Sequence, residues 1–552
     1  MVTVDNPVLP GFHPDPSICR VGDEYFIATS TFDWFPGVLI YSGTDLADWE
    51  LRGRAADRRS MLDMAGNPPS GGVWAPCLSH DGDRFYLIYT DVKSWVGSTS
   101  GPGGFKDSHN YLVTAPTVEG PWSEPIYLNS SGFDPSLFHD EDGRKWLVNM
   151  RWDYRVGHNQ FSGIVLQEYD PERGALTGPI STIFPGTEIA LTEAPHLYRR
   201  DGWYYLMVAE GGTSYGHAVT LARSRELTGP YELHPQTPLL TSVRDRTGFD
   251  RALAAGEEIT PFLSPGLQKA GHGSMAPVTE DEWVLAHLCG RPLPGSLTCP
   301  LGRETALQKL IWKEDGWPWP ESQAPSTKAT FSLNVPTAAA PDSDPTGRHT
   351  WSEEFHGPTW APELQTLRLP ADHRYSLTER PGYLTLVGAE SPTSRFRQTL
   401  LARRVQAFRW SAETALDFDP EDFQQLAGLS VRYDEPTQLL LRISRNDAGR
   451  RSLGILAYDR HALSMPLGER EPELPEGTVE LGVDADETMI RFRWRPVDGE
   501  WRSIGPAFDP GKLSDDYAEP LGFTGTFVGV AAFDLSGRGK KAYFDYLRYR
   551  ER

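Results

Sequence analysis

Apolar and polar residues alternate in two different ways along the chain. In the N-terminal part, a motif of small and apolar residues precedes a polar turn and an aromatic-rich strand, and this pattern occurs five times. Residues 350–552 instead alternate apolar and polar side chains with a period of two, as in Met489-Ile-Arg-Phe-Arg-Trp. A period of two is typical of half-buried strands. We find no sustained amphipathic helix, so the pattern predicts an all-β protein.

The five copies of the N-terminal motif begin roughly 60 residues apart, with a longer interval before the last. A repeat of this length, made of short strands and turns, predicts a five-bladed β-propeller, because one blade cannot bury both of its faces alone. The copies are Asp15-Pro-Ser-Ile, Ala75-Pro-Cys-Leu, Asp134-Pro-Ser-Leu, Glu193-Ala-Pro-His and His272-Gly-Ser-Met.

The composition then divides the chain into domains. We assign residues 1–322 to the propeller and 323–349, rich in Pro, Ala, Ser, Thr and Asp, to a linker. Residues 350–552 are predicted to form a sandwich of two antiparallel sheets. The wider gap before the fifth motif, about residues 232–268, is predicted to be a loop insertion at the rim of the propeller.

Equivalent positions of successive blades lie on a ring around the propeller axis. The motifs therefore place Asp15, Asp134, Glu193 and His272 around one hole. A single Asp-Pro pair is an ordinary turn, but acidic side chains in phase across a repeat have no folding role at so crowded a position. The ring is the candidate site.

Two carboxyl groups that flank a sugar–sugar bond can hydrolyse it, one as an acid and one as a base or nucleophile. We assign Asp15 as the base and Glu193, with its longer side chain, as the acid. Asp134 is assigned to raise the pKa of Glu193, since a nearby like charge keeps a proton bound. His272 could be a hydrogen-bonded imidazole or a metal or water ligand. Arg291 could face the pocket or pair at the surface.

Charge and composition restrict the partners. The net charge of −22 argues against nucleic acid and anionic membranes. The 17 Trp and 21 Tyr suit a sugar ligand, although all-β cores are also rich in aromatic residues. No signal peptide or apolar membrane span is visible, and four cysteines are too few for a disulfide framework, so we expect a cytoplasmic protein. A homo-oligomer is compatible with the sequence.

At these motifs the chain resembles glycoside hydrolase family 43, in the branch of β-xylosidases with a C-terminal concanavalin-like β-sandwich. The resemblance covers nearly the whole chain. The stretches that carry it are Asn6-Pro-Val-Leu-Pro-Gly-Phe-His-Pro-Asp15, Gly132-Phe-Asp134-Pro-Ser, Leu191-Thr-Glu193-Ala-Pro-His, Gly271-His272-Gly, Leu288-Cys-Gly-Arg291-Pro-Leu and Leu301-Gly-Arg-Glu-Thr.

The resemblance implies a hydrolase that releases xylose with inversion from the non-reducing end of β-1,4-xylo-oligosaccharides. We expect no cofactor to be required for the chemistry itself. The resemblance also implies the same roles for the three carboxyl groups, and it allows a calcium ion in the central channel near His272. A Phe from the sandwich is expected to close the mouth of the site. The implied substrate-binding residues are Phe32, Trp74 and Arg291 around the terminal xylose, Trp152 near the leaving sugar, and Phe523 or Phe527 from the sandwich.

Two other readings stay open. An α-L-arabinofuranosidase, or a bifunctional enzyme, could use the same carboxyl groups, because xylopyranose and arabinofuranose present similar hydroxyl edges. Similar proteins often carry a pocket His in a Leu-Thr-His-Arg-like stretch, where this chain has Leu-Thr-Ser242-Val-Arg. A sugar-binding protein without catalysis is the third reading, but a ligand-binding ring has little use for a raised pKa.

Overall fold

The computed structural model describes residues 1–95, 104–333 and 349–552. Five antiparallel sheets follow one another in chain order in the N-terminal part and form the blades of a propeller, as predicted. Their strands are Ser17–Val21, Glu24–Thr29, Gly37–Gly43 and Glu50–Ala56 (blade 1); Gly72–His80, Phe85–Ser94, Asp107–Ala115 and Ile126–Asn129 (blade 2); Ser136–His139, Lys145–Trp152, Phe161–Asp170 and Ala175–Phe184 (blade 3); Glu193–Arg200, Trp203–Glu210, Ala218–Ser224, Glu232–Leu233 and Leu240–Thr241 (blade 4); and Gln268–Pro277, Glu282–Gly290, Arg303–Trp312 and Pro318–Pro320 (blade 5).

Adjacent residues of one strand explain why the blades stack. Phe26 packs on Phe85 of blade 2, with ring centroids 5.3 Å apart, whereas Ile27 points the other way into a cluster with Ala286 of blade 5. Successive side chains of a strand alternate between its two faces, so each blade buries one face against each neighbour. Because both faces are apolar, a blade is stable only within the closed ring.

The ring closes next to blade 5. Val2–Asp5 pairs antiparallel with Lys328–Phe331, and Leu9 forms an isolated bridge with Thr305 in blade 5. Lys328–Phe331 lies inside the predicted linker, so the propeller domain extends beyond residue 322. Most of the predicted linker, residues 334–348, is outside the described residues.

The insertion before blade 5 contains a helix, Arg246–Ala255, so the prediction of a loop there was wrong. Asp245 caps its N-terminus by accepting a hydrogen bond from Gly248 N, and Gly256 ends it with a left-handed φ of 68°. Only Gly248, Phe249 and Ala252 of this helix are buried, a stripe too narrow to give an amphipathic period. A 3-10 turn, Thr260–Phe262, follows.

The C-terminal domain is a sandwich of two antiparallel sheets, as predicted, and its core contains Leu429, Ile443, Val483, Phe492 and Leu547. Short 3-10 helices lie at Gly468–Arg470 and Pro510–Lys512. The eight-stranded sheet consists of Thr350–Glu353, Tyr375–Ser376, Leu384–Val387, Trp410–Asp417, Val479–Ala485, Ile490–Pro496, Arg502–Phe508 and Lys541–Glu551, and the six-stranded sheet of Thr399–Arg404, Gln425–Arg432, Gln438–Arg445, Arg451–Asp459, Ala462–Ser464 and Phe527–Asp534.

The sandwich is joined to the propeller by backbone pairing and by buried charges. Thr366–Leu367 of the sandwich pairs antiparallel with Trp34–Phe35, in the loop between the second and third strands of blade 1. The buried guanidinium of Arg368 lies 3.2 Å from Asp33 of the propeller and 2.6 Å from Glu435 of the sandwich. These contacts fix the sandwich over one face of the propeller. No helix of the described chain is long and apolar enough to cross a membrane.

Candidate active site

One residue at the inner edge of every blade has a left-handed backbone conformation, which is uncommon for residues other than Gly. In blades 1, 2, 3 and 5 this residue opens the predicted motif, but in blade 4 it is Ala194. Glu193 therefore lies one position ahead of the ring to which the sequence assigned it. The five residues and their φ angles are Asp15 (56°), Ala75 (37°), Asp134 (54°), Ala194 (51°) and His272 (46°).

The left-handed residue interrupts strand pairing and lets two successive side chains reach the axis. The register shifts between Trp74 and Cys77, between Glu193 and His196, and between Gly271 and Gly273, which are β-bulges in equivalent places. A bulge disturbs the alternation of side chains. Glu193 is thus the equivalent of Trp74 and Phe133, and all three side chains line the same cavity as the ring residues.

This cavity, here called the axial cavity, has a volume of about 440 Å³ and lies between the propeller and the sandwich. It brings Asp15, Asp134 and Glu193 together although they are far apart in the sequence. The substrate-binding residues predicted for it that do line it are Phe32, Trp74, Trp152 and Phe523, and the other lining residues include His272, Trp95, Lys106, Phe133, Phe161, Leu191, Tyr215, Arg246, Phe249 and Arg303.

Two predicted residues lie elsewhere. The guanidinium of Arg291 donates hydrogen bonds of 2.7 and 2.6 Å to the buried carboxylate of Glu304. Glu304 follows Arg303 in one strand, so the two side chains point to opposite faces, and it is Arg303 that faces the axial cavity. Phe527 is fully buried and stacks on Trp34 at 3.6 Å between the domains, so Phe523 alone of the two candidates lines the axial cavity.

Asp15 is held in its ionised form. Its Oδ2 accepts a 2.7 Å hydrogen bond from Ser30 Oγ, its Oδ1 lies 3.3 Å from Nη1 of Arg303, and His272 Nδ1 is 3.6 Å away. Burial by itself raises the pKa of Asp15, but Arg303, His272 and Ser30 outweigh it and lower the pKa below its usual value. At neutral pH Asp15 is a buried carboxylate that can accept a proton.

Glu193 is held in its protonated form. Burial and the negative charge of Asp15 raise the pKa of Glu193 to about 8, against the opposing charges of Lys106 and Arg303. Burial and the charges of Glu193 and Asp15 also raise the pKa of Asp134 well above its usual value. Asp134 and Glu193 therefore titrate as a pair. The charge of Asp15 acts on both groups, and the effect of Asp134 on Glu193 that the sequence assigned stays a prediction.

Lys106 adds a cation near the two raised carboxyl groups. Its ammonium lies 4.4 Å from the ring centroid of Trp152 and 5.5 Å from that of Phe133. Burial lowers the pKa of Lys106 to about 8, against the charges of Glu193 and Asp134. A cation over an indole face is stabilised by the ring quadrupole, so Lys106 orders this aromatic wall of the axial cavity.

The groups around His272 do not form a side-chain cage for calcium. Its nearest ionisable neighbours include Asp15 and Arg303, and His217 and His196 face it from blade 4. Among the described residues no group of three or more His, Cys, Asp or Glu side chains could hold a metal ion. Calcium prefers six to eight oxygen ligands, and this set supplies one carboxylate and imidazoles.

Sequence reasoning missed several residues of the axial cavity. The Gly-Arg-Glu-Thr stretch contains Arg303 and could have pointed to it. Successive side chains of a strand point to opposite faces, so Arg303 and Glu304 could not both face the axial cavity. Arg246 and Phe249 come from the unexpected helix. Ser242 does not line the axial cavity; its buried hydroxyl donates to Leu267 O at 3.1 Å and accepts from Ala270 N at 3.2 Å.

A carboxylate held ionised and a carboxylic acid held protonated, facing one aromatic-lined cavity, are the pair of groups that glycoside hydrolysis requires. With the propeller fold they define a carbohydrate hydrolase. The family model for glycosyl hydrolases family 43 matches residues 4–318, and a model described as the β-xylosidase C-terminal concanavalin A-like domain matches residues 352–550. The chain belongs to glycosyl hydrolase family 43.

Named relatives match along the full length. The chain is 48% identical to xylosidase/arabinosidase 43B of Humicola insolens, covering 100% of this chain and 98% of that one. It is 45% identical to a β-xylosidase of Bacillus subtilis, with 100% of each covered. The crystal structure of a xylan β-1,4-xylosidase from Bacillus halodurans superposes with a TM-score of 0.90 at 49% identity, covering 99% of this chain and 100% of that one.

Proposed function

We propose that this glycoside hydrolase is an inverting, exo-acting β-xylosidase that releases xylose from the non-reducing end of β-1,4-xylo-oligosaccharides. The observation that carries the proposal is the opposite ionisation of two carboxyl groups in one cavity, with the pKa of Asp15 lowered and that of Glu193 raised to about 8. The names of the most similar relatives support xylose as the sugar.

In the proposed reaction, Glu193 gives its proton to the glycosidic oxygen as the bond to the anomeric carbon breaks. Asp15 takes a proton from a water molecule whose oxygen attacks that carbon from the opposite face. Arg303 and Ser30 keep Asp15 ionised until this transfer. Exchange of one proton with solvent at each carboxyl group restores the starting state.

Exo action is supported by the aromatic groups that narrow the axial cavity. Phe523 enters from the sandwich and lies 5.9 Å from Phe32 and 5.4 Å from Trp74, measured between ring centroids. Its backbone N–H donates a 2.9 Å hydrogen bond to Ser70 Oγ of the propeller, which fixes the loop. A cavity closed by a Phe from another domain accepts the end of a chain, not its middle.

Hydrolysis of xylobiose and xylotetraose tests the whole proposal. Product analysis should show xylose as the first product from both, and proton NMR should show α-xylose before mutarotation. First release of xylobiose from xylotetraose would contradict exo action by single residues, and β-xylose as first product would contradict inversion. Binding without turnover would instead favour a sugar-binding protein.

An α-L-arabinofuranosidase activity is the second candidate. The name of one relative at 48% identity includes arabinosidase, and the helix that carries Arg246 and Phe249 shapes one wall of the axial cavity. The ratio of kcat/KM on 4-nitrophenyl β-D-xylopyranoside and α-L-arabinofuranoside decides between them. A higher value on the arabinoside would overturn the assignment to xylose.

The proposed chemistry uses only carboxyl groups, so we propose that no metal takes part in bond cleavage. A calcium ion bound near His272 stays a prediction, which isothermal titration with Ca²⁺ and activity after EDTA treatment would test. The cytoplasmic location also stays a prediction, and cell fractionation tests it. Sedimentation velocity tests whether the chain forms a homo-oligomer, which the sequence leaves open.

A further inference from the structure

The sandwich touches the pocket arginine at a second place besides Phe523. Asp515, which follows the 3-10 helix Pro510–Lys512, is 2% exposed. Its Oδ2 lies 3.6 Å from Nε of Arg303 in blade 5. Both atoms are buried, and neither makes a hydrogen bond in the described structure. Each is therefore the polar group that the other faces. Burial raises the pKa of Asp515 to about 7, against the charges of Arg303 and Lys269.

The remaining nitrogens of Arg303 are already engaged. Its Nη1 donates to Thr213 Oγ1 at 2.5 Å and lies 3.3 Å from Asp15 Oδ1, and its Nη2 donates to the carbonyl of Phe523 at 3.1 Å. A guanidinium is a planar fork whose donors point in fixed directions. The direction of Nε toward Asp515 therefore sets where Nη1 meets Asp15.

Asp515 is itself fixed within the sandwich. Tyr433 donates a 2.5 Å hydrogen bond from its hydroxyl to Asp515 Oδ1. The same tyrosine packs against Gly522 so closely that a Cβ there would lie 1.9 Å from its hydroxyl oxygen. Thr524 Oγ1 donates to Tyr433 O at 3.3 Å. Asp515, Tyr433 and the loop that carries Phe523 thus form one connected unit.

We propose that Asp515 is a positioning residue: it holds the guanidinium of Arg303 against the Asp15 carboxylate, so the sandwich domain helps to prepare the base of the propeller. The proposal rests on the proposed function, in which Asp15 is that base. A cation close to a carboxylate favours its ionised form. The charged and titratable groups around Asp15 are Arg303, His272, His217, Glu193 and Asp134. Those around Asp515 are Arg303, Lys269, Tyr433, Asp516, Tyr215 and Cys299.

The neighbouring Asp516 offers a matched control. Its Oδ1 lies 2.6 Å from Nζ of Lys269, and its Oδ2 accepts a 2.9 Å hydrogen bond from Cys299 N. Both partners belong to the blade 5 region that also carries Arg303. Asp516 therefore fixes the same loop to the same part of the propeller through a cation other than Arg303.

The test is the pH profile of kcat/KM on 4-nitrophenyl β-D-xylopyranoside, measured with the thermal midpoint. For Asp515→Ala we expect a loss of about tenfold near neutral pH and an acid limb about half a pH unit higher, because Arg303 no longer stays against Asp15. Asp515→Asn keeps an oxygen for Nε and a donor for Tyr433, so it should restore activity to within about threefold. Asp516→Ala should lower the thermal midpoint without moving the acid limb.

An unchanged acid limb in Asp515→Ala, or an equal shift in Asp516→Ala, would overturn the proposal, since loop packing alone would then explain the loss. If Asp515→Ala does not fold, Asp515→Ser replaces it in the test, because Ser leaves a smaller cavity. An unchanged acid limb in Asp515→Ser would then overturn the proposal in the same way. Asp15→Asn in the same assay separates the two claims. Full activity of that variant contradicts the proposed function, whereas its inactivity beside an unshifted Asp515→Ala contradicts only the positioning role.

Discussion

The hydroxyl of Ser30 joins Asp15 of blade 1 to the backbone of blade 2. It donates a 2.7 Å hydrogen bond to Asp15 Oδ2 and accepts a 2.7 Å hydrogen bond from Ala75 N. Ala75 occupies the ring position of blade 2, with a left-handed φ of 37°. The position of the proposed base therefore depends on the contact between two blades as well as on its own strand.

Ser30→Ala should move the acid limb of the pH profile of kcat/KM upward by about one pH unit. The hydroxyl is among the groups that lower the pKa of Asp15, and activity is lost as the pH falls through that pKa. A hydrogen bond to a charged group contributes about 1.5–3 kcal/mol. Ser17→Ala is the control, because Ser17 accepts from Leu78 N of blade 2 at 3.1 Å without touching a catalytic carboxyl group. An equal shift in both variants would refute this explanation.

Glu193→Gln should lower kcat/KM on xylobiose by about 10³-fold, the upper part of what general acid catalysis supplies. The loss should be much smaller on a xyloside with a dinitrophenyl leaving group, which departs without a proton. Asp15→Asn should lose about 10³-fold on both substrates, because water activation is needed for each. Equal losses in Glu193→Gln on the two substrates would exclude Glu193 as the acid.

Asp134→Asn should move the alkaline limb of the profile below its wild-type position. Glu193 must be protonated, so activity is lost as the pH rises through its pKa of about 8. Asp134 and Glu193 raise each other's affinity for the last proton of the pair, and a neutral amide removes that repulsion. An alkaline limb at the wild-type pH would show that Asp15 alone acts on Glu193.

Arg291 and Arg303 should behave differently when replaced. Arg291→Ala leaves the buried Glu304 carboxylate without its guanidinium and should cost about 3 kcal/mol of folding free energy, seen as a lower thermal midpoint with KM unchanged. Arg303→Lys should lower kcat/KM about 10²-fold, because an ammonium cannot replace the fork that reaches Asp15, Thr213 and Phe523. A raised KM in Arg291→Ala would show that Arg291 contacts the substrate after all.

Phe523→Ala should open the axial cavity toward the sandwich. We expect KM for xylobiose to rise about tenfold, because an aromatic wall of a sugar site is lost. Phe527→Ala, on the other hand, should lower the thermal midpoint through the cavity left against Trp34. Products from xylotetraose should then include xylobiose for Phe523→Ala only; xylose as the sole first product would contradict the closing role of Phe523.

The sequence allowed the main features of the site to be predicted, with a one-residue error. The repeat brought Asp15, Asp134 and Glu193 to one hole, and the structure gathers them in the axial cavity. A Pro follows Ala194, as it follows Asp15 and Asp134, so Ala194 is the residue equivalent to these two. The prediction instead chose the acidic residue Glu193, one position closer to the N-terminus. A bulge allows both positions to face the axis, so the error did not remove Glu193 from the site.

The sequence by itself determined the all-β fold, the five blades and the carboxyl groups, because period-two alternation and a repeat depend on local order along the chain. Only the tertiary structure decided that Arg303 and not Arg291 faces the site, that Phe523 and not Phe527 reaches it, and that Arg303, His272 and Ser30 are the groups that hold Asp15 ionised. The alternation along a strand assigns each side chain to one of two faces, but it does not tell which face lines the propeller axis. Charges act through space, so their effects on pKa depend on distances that exist only after the blades close and the sandwich docks.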